Sequence, residues 1–204
     1  MFRLYNINMQ KVDYNQKMKQ QISQLSGKPK LLLHVCCAPC SSAVLEKLTN
    51  HFDITLFYFN PNTYPLSEYN LRAQQFAKLT NLPIIVCDYE HTEFLNAIKG
   101  YEHNKEGETR CQKCIELRML KTFEYAKSNN FDIVTTTLSI SPHKDHIFIN
   151  LCGEQLQQKF DIPYLYADFK KENGYLNSIQ LSKQFDLYRQ DYCGCEFSIN
   201  SQDK

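Results

Sequence analysis

The apolar positions of this chain fall into two periods. Short runs in which most residues are apolar lie at 31–35 ("LLLHV"), 54–59 ("ITLFYF"), 83–89 ("PIIVCDY"), 132–138 ("DIVTTTL") and 163–169 ("PYLYADF"). Their length and β-branched or aromatic content read as buried strands. Between them, 42–50, 67–80, 93–100, 114–128 and 145–160 repeat apolar residues at helical spacing. A last helical segment, 177–190, leads into "DYCGCEF". Ahead of the first strand, "MKQQISQLSGKPK" reads as the end of a helix followed by a Gly/Pro break. Five strands separated by helices predict an α/β fold, a mostly parallel five-stranded sheet with helices on both faces. Residues 1–29 are expected to form an N-terminal helical extension and 30–204 a single α/β domain.

In such sheets a ligand sits beyond the carboxyl ends of the strands, in the loops that open the following helices. Here "CCAPC" follows the first strand, "NPNTYP" the second, "SPHK" the fourth and "KKENG" the fifth. The chain has only six glycines, and neither a G-x-x-x-x-G-K-[ST] loop nor a G-x-G-x-x-G fingerprint. The first strand-to-helix turn holds thiols where a nucleotide-binding protein holds glycines.

Composition sharpens this picture. A length of 204 residues suits one substantial domain. The net charge of +1 neither requires nor excludes a nucleic acid, so only a local basic patch matters. No apolar stretch approaches a membrane span, and "MFRLYNINMQKVDYNQKMKQ" has no apolar h-region, so a cytoplasmic protein without a membrane partner is expected. Nine cysteines, an odd number, are then anomalous, because structural disulfides are rare in that compartment. Clustered thiols there point to metal or redox chemistry.

Seven of the nine fall into three groups: Cys36, Cys37 and Cys40; Cys111 and Cys114; Cys193 and Cys195. Cys87, in a strand, and Cys152, on an apolar helix stripe, read as small core residues. Cys111 and Cys114 open a helix, and i and i+3 share a face, so both can grip one centre; Arg118 returns to nearly the same face. A helix N-terminus also favours thiolates. In the C-x-C, Gly194 permits a sharp turn that aims both sulfurs at one centre or closes a strained, easily reduced disulfide. A structural zinc site takes four ligands, so seven thiols are too many for one and too few for two all-cysteine sites. A four-thiolate iron–sulfur cluster plus three remaining thiols fits the count better, with zinc as the alternative.

The segments "LLLHVCCAPCSS", "FYFNPNTYPLSEYNLR", "RCQKCIELRM", "TTTLSISPHKD", "DFKKENGY" and "LYRQDYCGCEFS" resemble the QueH-type epoxyqueuosine reductases, in order, from about Tyr14 to Ser198. The resemblance implies an adenine-nucleotide-hydrolase-like α/β fold. It implies an enzyme that reduces epoxyqueuosine to queuosine at the wobble position of tRNA, by two electrons and without cobalamin, as the last step of queuosine synthesis. It assigns a 4Fe-4S cluster in the 30–204 domain to Cys36, Cys37, Cys111 and Cys114, and a redox-active disulfide to Cys193 and Cys195. Consecutive residues on an extended segment point to opposite sides, however, so Cys36 and Cys37 serve two neighbouring centres unless the turn bends them together. The rival partition gives one of them, with Cys40 and a C-x-C thiol, to a second, mononuclear iron; Cys40, Cys193 and Cys195 are its candidates.

A cluster moves one electron at a time, so an external donor such as ferredoxin or flavodoxin is expected. An iron with an open position can act as a Lewis acid on the epoxide oxygen. The proton donor is sought among His143, Tyr89 and Asp88, with His143 first because histidine as a residue type titrates near neutral pH. His34, inside the first strand, reads as a core histidine. Lys144, Lys170, Lys171, Arg110, Arg118 and Arg189 are candidates for neutralising anticodon phosphates, while Tyr64 stacks on an unpaired base. Two other classes compete: a tRNA sulfur-inserting iron–sulfur enzyme, which requires an S-G-G-x-D-S loop that "CCAPCSS" does not provide, and a zinc-binding module.

Overall fold

Leu31, Leu32 and Leu33 are fully buried, and this sets the architecture, because a strand apolar on every residue must be covered on both faces. The computed structural model describes residues 12–199. The first part of the expected N-terminal extension and the last five residues of the chain lie outside them. Four strands, β1 (Lys30–His34), β2 (Asp53–Tyr58), β3 (Ile84–Val86) and β4 (Ile133–Thr136), pair in the order β3-β2-β1-β4, all parallel. The connections are helical: α1 (Tyr14–Ser23) precedes β1, and α2 (Ala38–Leu48) joins β1 to β2. Helices α3 (Leu66–Gln74) and α4 (Phe76–Leu79) join β2 to β3, and α5 (His91–Ala97) and α6 (Thr109–Ser128) join β3 to β4. After a 3-10 turn at Thr137–Ile140 come α7 (His146–Phe160), α8 (Gly174–Gln184) and the short α9 (Glu196–Ile199).

The alternation along β1 divides the core. Leu31 and Leu33 face Val44, Leu48, Phe76 and Leu181 from α2, α4 and α8. Leu32 faces the other way, into Met119, Phe123, Cys152 and Leu156 from α6 and α7. Helix α1 belongs to both layers, through Met18 and Tyr14. Among the described residues no helix is long and apolar enough to cross a membrane.

The expected fifth strand at 163–169 is not a member of the sheet; it makes one parallel bridge, Val134 with Tyr164. Two backbone bonds begin a ladder, Val134 N to Pro163 O at 3.0 Å and Leu165 N to Val134 O at 2.9 Å. The ladder stops because β4 turns into the 3-10 helix after Thr136. The Asn150 side chain then takes both backbone groups of Ala167, at 2.9 and 3.0 Å. On the other edge Gln157 and Gln21 accept from the Tyr164 and Tyr166 amides. Side-chain amides do here what a strand would do. The last long helix also ends earlier than its pattern implies. The chain leaves α8 at Gln184, Asp186 takes a positive φ of 48°, and 185–190 runs back toward the strand ends.

Candidate thiol centre

The first thiol group is built by the β1–α2 turn. Cys37 is the N-cap of α2 in an extended conformation (φ −165°, ψ 158°), with Cys40 one helical turn on. That turn answers the alternation problem: Cys36, Cys37 and Cys40 bring their sulfurs within 4.8 Å of one another, Cys36 to Cys37 being 3.8 Å. Among the described residues no other group of three or more His, Cys, Asp or Glu ligand atoms is gathered so closely. Hydrogen bonds from Cys37 and Cys40 hold the Cys36 thiol well below its ordinary range. The same sharing pushes Cys37 up to about 12 and raises Cys40. The triad therefore favours one thiolate, at Cys36. Gln190 Nε2 donates to Cys37 Sγ at 3.1 Å.

The second group is assembled from two ends of the chain. Cys111 and Cys114 lie in the first turns of α6, and with Cys193 and Cys195 they line a narrow cavity of ≈ 40 Å³. Burial pushes Cys114 up to about 12 and raises Cys111 and Cys195. Gly107 N donates to Cys111 Sγ at 3.2 Å, and Lys144 Nζ to Cys193 Sγ at 3.2 Å. Burial lowers the Lys144 pKa, but Cys193 and Cys36 outweigh that effect and raise it. A larger cavity of ≈ 410 Å³ is lined by Cys36, Cys40 and Cys193. Asn62, Glu106, Arg118, His143, Lys144 and Cys193 line both cavities and form their junction.

The other expected site residues divide. Arg118, 3% exposed, donates to Asn60 Oδ1 at the junction, and Arg189 lines the larger cavity with its guanidinium 5.4 Å from the Tyr175 ring. Arg110 lines the narrow cavity. Tyr64, Tyr89, Asp88, Lys170 and Lys171 line neither of the two. Lys170 is nonetheless attached to the site, since its Nζ donates to the Lys144 carbonyl at 3.1 Å. Asp88 instead borders a third, open cavity with Cys87, which is half-buried there and packs against the edge of the core. Cys152 is a core residue, 4% exposed. His34 is a satisfied core histidine, with Nδ1 2.8 Å from Thr136 Oγ1; burial lowers its pKa to about 3.

Four further residues, Asn60, Asn62, Arg72 and Gln190, line the larger cavity without any motif that marks them in the sequence. Asn60 ties the strand ends, donating to Val35 O at 2.9 Å while accepting from Arg118. For Asn60, Asn62 and Arg72 the one available signal is the strand-end loop "NPN" and its continuation into α3; Gln190, after α8, has none there.

An α/β protein with seven thiols at the carboxyl end of a parallel sheet, beside a basic cavity and without a phosphate loop, is a thiol protein equipped for metal or redox chemistry. Comparison with known proteins narrows this class. A family model described as epoxyqueuosine reductase QueH matches residues 31–201, and the chain belongs to that family. The epoxyqueuosine reductase QueH of Streptococcus pyogenes serotype M1 is 40% identical over 212 residues, covering 98% of this chain and 83% of the relative. Those of Haemophilus influenzae and Thermotoga maritima are 37% and 34% identical. They cover 92% and 83% of this chain, and 78% and 90% of their own lengths.

Proposed function

We propose that this chain reduces epoxyqueuosine to queuosine at the wobble position of a tRNA anticodon, a two-electron deoxygenation without cobalamin, in the cytoplasm. One observation carries the reading. Cys36, Cys40 and Cys193 line the same ≈ 410 Å³ cavity as Arg118, Lys144 and Arg189, so thiols and cationic side chains share one space. The names of the relatives supply substrate and reaction. The same resemblance assigns the sheet to the adenine-nucleotide-hydrolase-like group.

In this reading Cys36, Cys37, Cys111 and Cys114 would hold a 4Fe-4S cluster, which would supply electrons one at a time. Of this donor set, Cys36 and Cys37 hold their soft sulfurs 3.8 Å apart with Cys36 favoured as thiolate, while Cys111 and Cys114 line the adjoining narrow cavity. Cys193 and Cys195 form the redox-active pair. Oxidising two thiols to a disulfide releases two electrons and two protons, which the epoxide oxygen takes up as it leaves as water. Ferredoxin or flavodoxin then restores the thiols. His143, exposed where the two cavities meet, hands the proton to the leaving oxygen. Arg118, Lys144, Lys170, Lys171 and Arg189 neutralise anticodon-loop phosphates, and Tyr64, 44% exposed, stacks on an unpaired base.

A second reading of the thiols has an observation in its favour: Cys40 completes the sulfur triad, and Cys193 lines the same cavity. There Cys40, Cys193 and Cys195 hold a separate mononuclear iron. Metal analysis of anaerobically purified protein separates the two, about four irons per chain for the first and about five for the second. The function itself is tested by mass spectrometry of tRNA nucleosides from cells with and without the active gene. Epoxyqueuosine accumulates in its absence if the proposal holds, and unchanged queuosine contradicts it.

A further inference from the structure

We propose that Arg72 is a positioning residue for the C-x-C thiols, fixing through the Cys193 carbonyl the loop on which Cys193 and Cys195 reach the centre. The inference rests on reading those two thiols as reactive groups and on nothing about tRNA. Arg72 lies on α3, far from Cys193 in the chain, and is 3% exposed. Its Nε donates to Glu68 Oε1 at 2.7 Å, and its Nη1 donates to Cys193 O at 3.2 Å. The Tyr192 ring centroid is 5.0 Å from its guanidinium carbon. Glu68 in turn accepts from the Tyr188 hydroxyl at 3.2 Å on each oxygen. One ion pair on α3 thus grips the C-terminal segment at both ends of 188–193.

The three carbonyls of the C-x-C are all engaged. Gly194 O accepts from Tyr64 N at 2.8 Å, and Cys195 O from Ser198 N at 2.9 Å. The Ser198 hydroxyl adds a second, local bond to Cys195 O at 2.7 Å. The Cys193 carbonyl, beside the thiol that receives Lys144, takes a side chain from α3, far away in the chain. The contact is close enough to dictate the next residue. Gly194 has φ +128°, and a Cβ there would lie 2.8 Å from Arg72 Nη1 and 3.5 Å from Asn62 Nδ2. The backbone passes flat against the guanidinium, and a side chain would push it off.

Stability alone is a poor reason for this arrangement. A buried ion pair gains little over apolar packing of the same volume. What the planar fork does supply is direction, holding Glu68 and the carbonyl in one fixed geometry that a lysine cannot reproduce. Arg72 also lines the ≈ 410 Å³ cavity, so the fixed loop forms part of its wall.

A brief iodoacetamide pulse on anaerobically purified, reduced protein, read cysteine by cysteine by mass spectrometry, tests the role. In Arg72→Gln, Cys193 and Cys195 are expected to react about tenfold faster than in the wild type, with Cys152 unchanged. Arg72→Lys is expected to behave like the glutamine variant. The turnover constant should fall while KM for tRNA stays within about twofold. Should Arg72→Gln fold poorly, Tyr188→Phe, which removes only the hydroxyl bond to Glu68, should give a smaller increase at the same two cysteines. Unchanged rates at Cys193 and Cys195, an equal increase at Cys152, or a loss wholly in KM would each overturn the proposal. A chain with the alkylation pattern that leaves epoxyqueuosine intact would retain the positioning role and lose the proposed function.

Discussion

The two thiol regions that meet at the cavity are made in opposite ways. Cys36, Cys37 and Cys40 lie within five residues, on a turn between a central strand and a helix that is buried along one face. Their backbone is built into the sheet and α2: Val35 N donates to Phe57 O at 3.0 Å, Cys36 N to Thr137 Oγ1 at 3.3 Å, and the Ser41 hydroxyl to Cys37 O at 2.8 Å. Cys193 and Cys195 lie in no regular element, and their loop is held by Arg72, by the Tyr64 amide and by Lys144, from three other parts of the chain. A group built into the sheet keeps its geometry as long as the sheet exists. A group assembled by distant tethers loosens first when a tether is cut, because local opening costs less than global unfolding. The centre therefore combines a fixed half with an adjustable one.

Substitutions can sharpen or break that contrast. The largest effect is expected from Cys36→Ala, which removes the favoured thiolate: turnover should fall by at least about a thousandfold, and iron content should fall with it. Steady-state assay and metal analysis of one preparation measure both, and full iron with full turnover would remove Cys36 from the centre. Gly194→Ala is expected to come next. It meets a positive φ and a 2.8 Å contact together, worth about 1–3 kcal/mol of local strain. Turnover should drop about ten- to a hundredfold, while the melting temperature shifts by only a few degrees, about what that strain alone allows. An unchanged rate would mean that the loop is not held as described. Cys40→Ala divides the two thiol partitions. Loss of about one iron per chain favours the separate mononuclear centre, and an intact complement of about four favours the family's ligand set. The smallest effect belongs to Lys170→Gln with Lys171→Gln, since neither residue lines the cavity. Affinity for tRNA should weaken a few-fold, with a salt slope shallower by about 1.4 for two phosphate contacts. Turnover at saturating tRNA should not change.

How far the sequence carried this picture depends on the range of each interaction. The strands β1, β2 and β4 were legible because "LLLHV", "ITLFYF" and "DIVTTTL" are buried on both faces and need no context. The run at 163–169 has the same composition and makes one bridge only. Its pairing is intercepted by Asn150, a side chain on the preceding helix that no periodicity reveals. The strand-end rule located Cys36, Lys144 and His143 correctly at the cavities. It also directed attention to Lys170 and Lys171, beyond a segment that is not a strand of the sheet, and these stay outside both cavities. Asn62 and Arg72 were invisible for the reason that makes them interesting. Their contacts are with a loop far along the chain, and an arginine at a helical position reads as solvated until that loop is seen against it.

The most direct test of the central claim, that these thiols perform the reduction, is an anaerobic assay with tRNA carrying epoxyqueuosine. Reduced wild-type protein and Cys193→Ser are each incubated with it, and the digested nucleosides are weighed by mass spectrometry. The expected result is the loss of one oxygen from the modified nucleoside with wild-type protein and none with the variant. Epoxyqueuosine unchanged by the wild type, or queuosine formed equally by the variant, would contradict it.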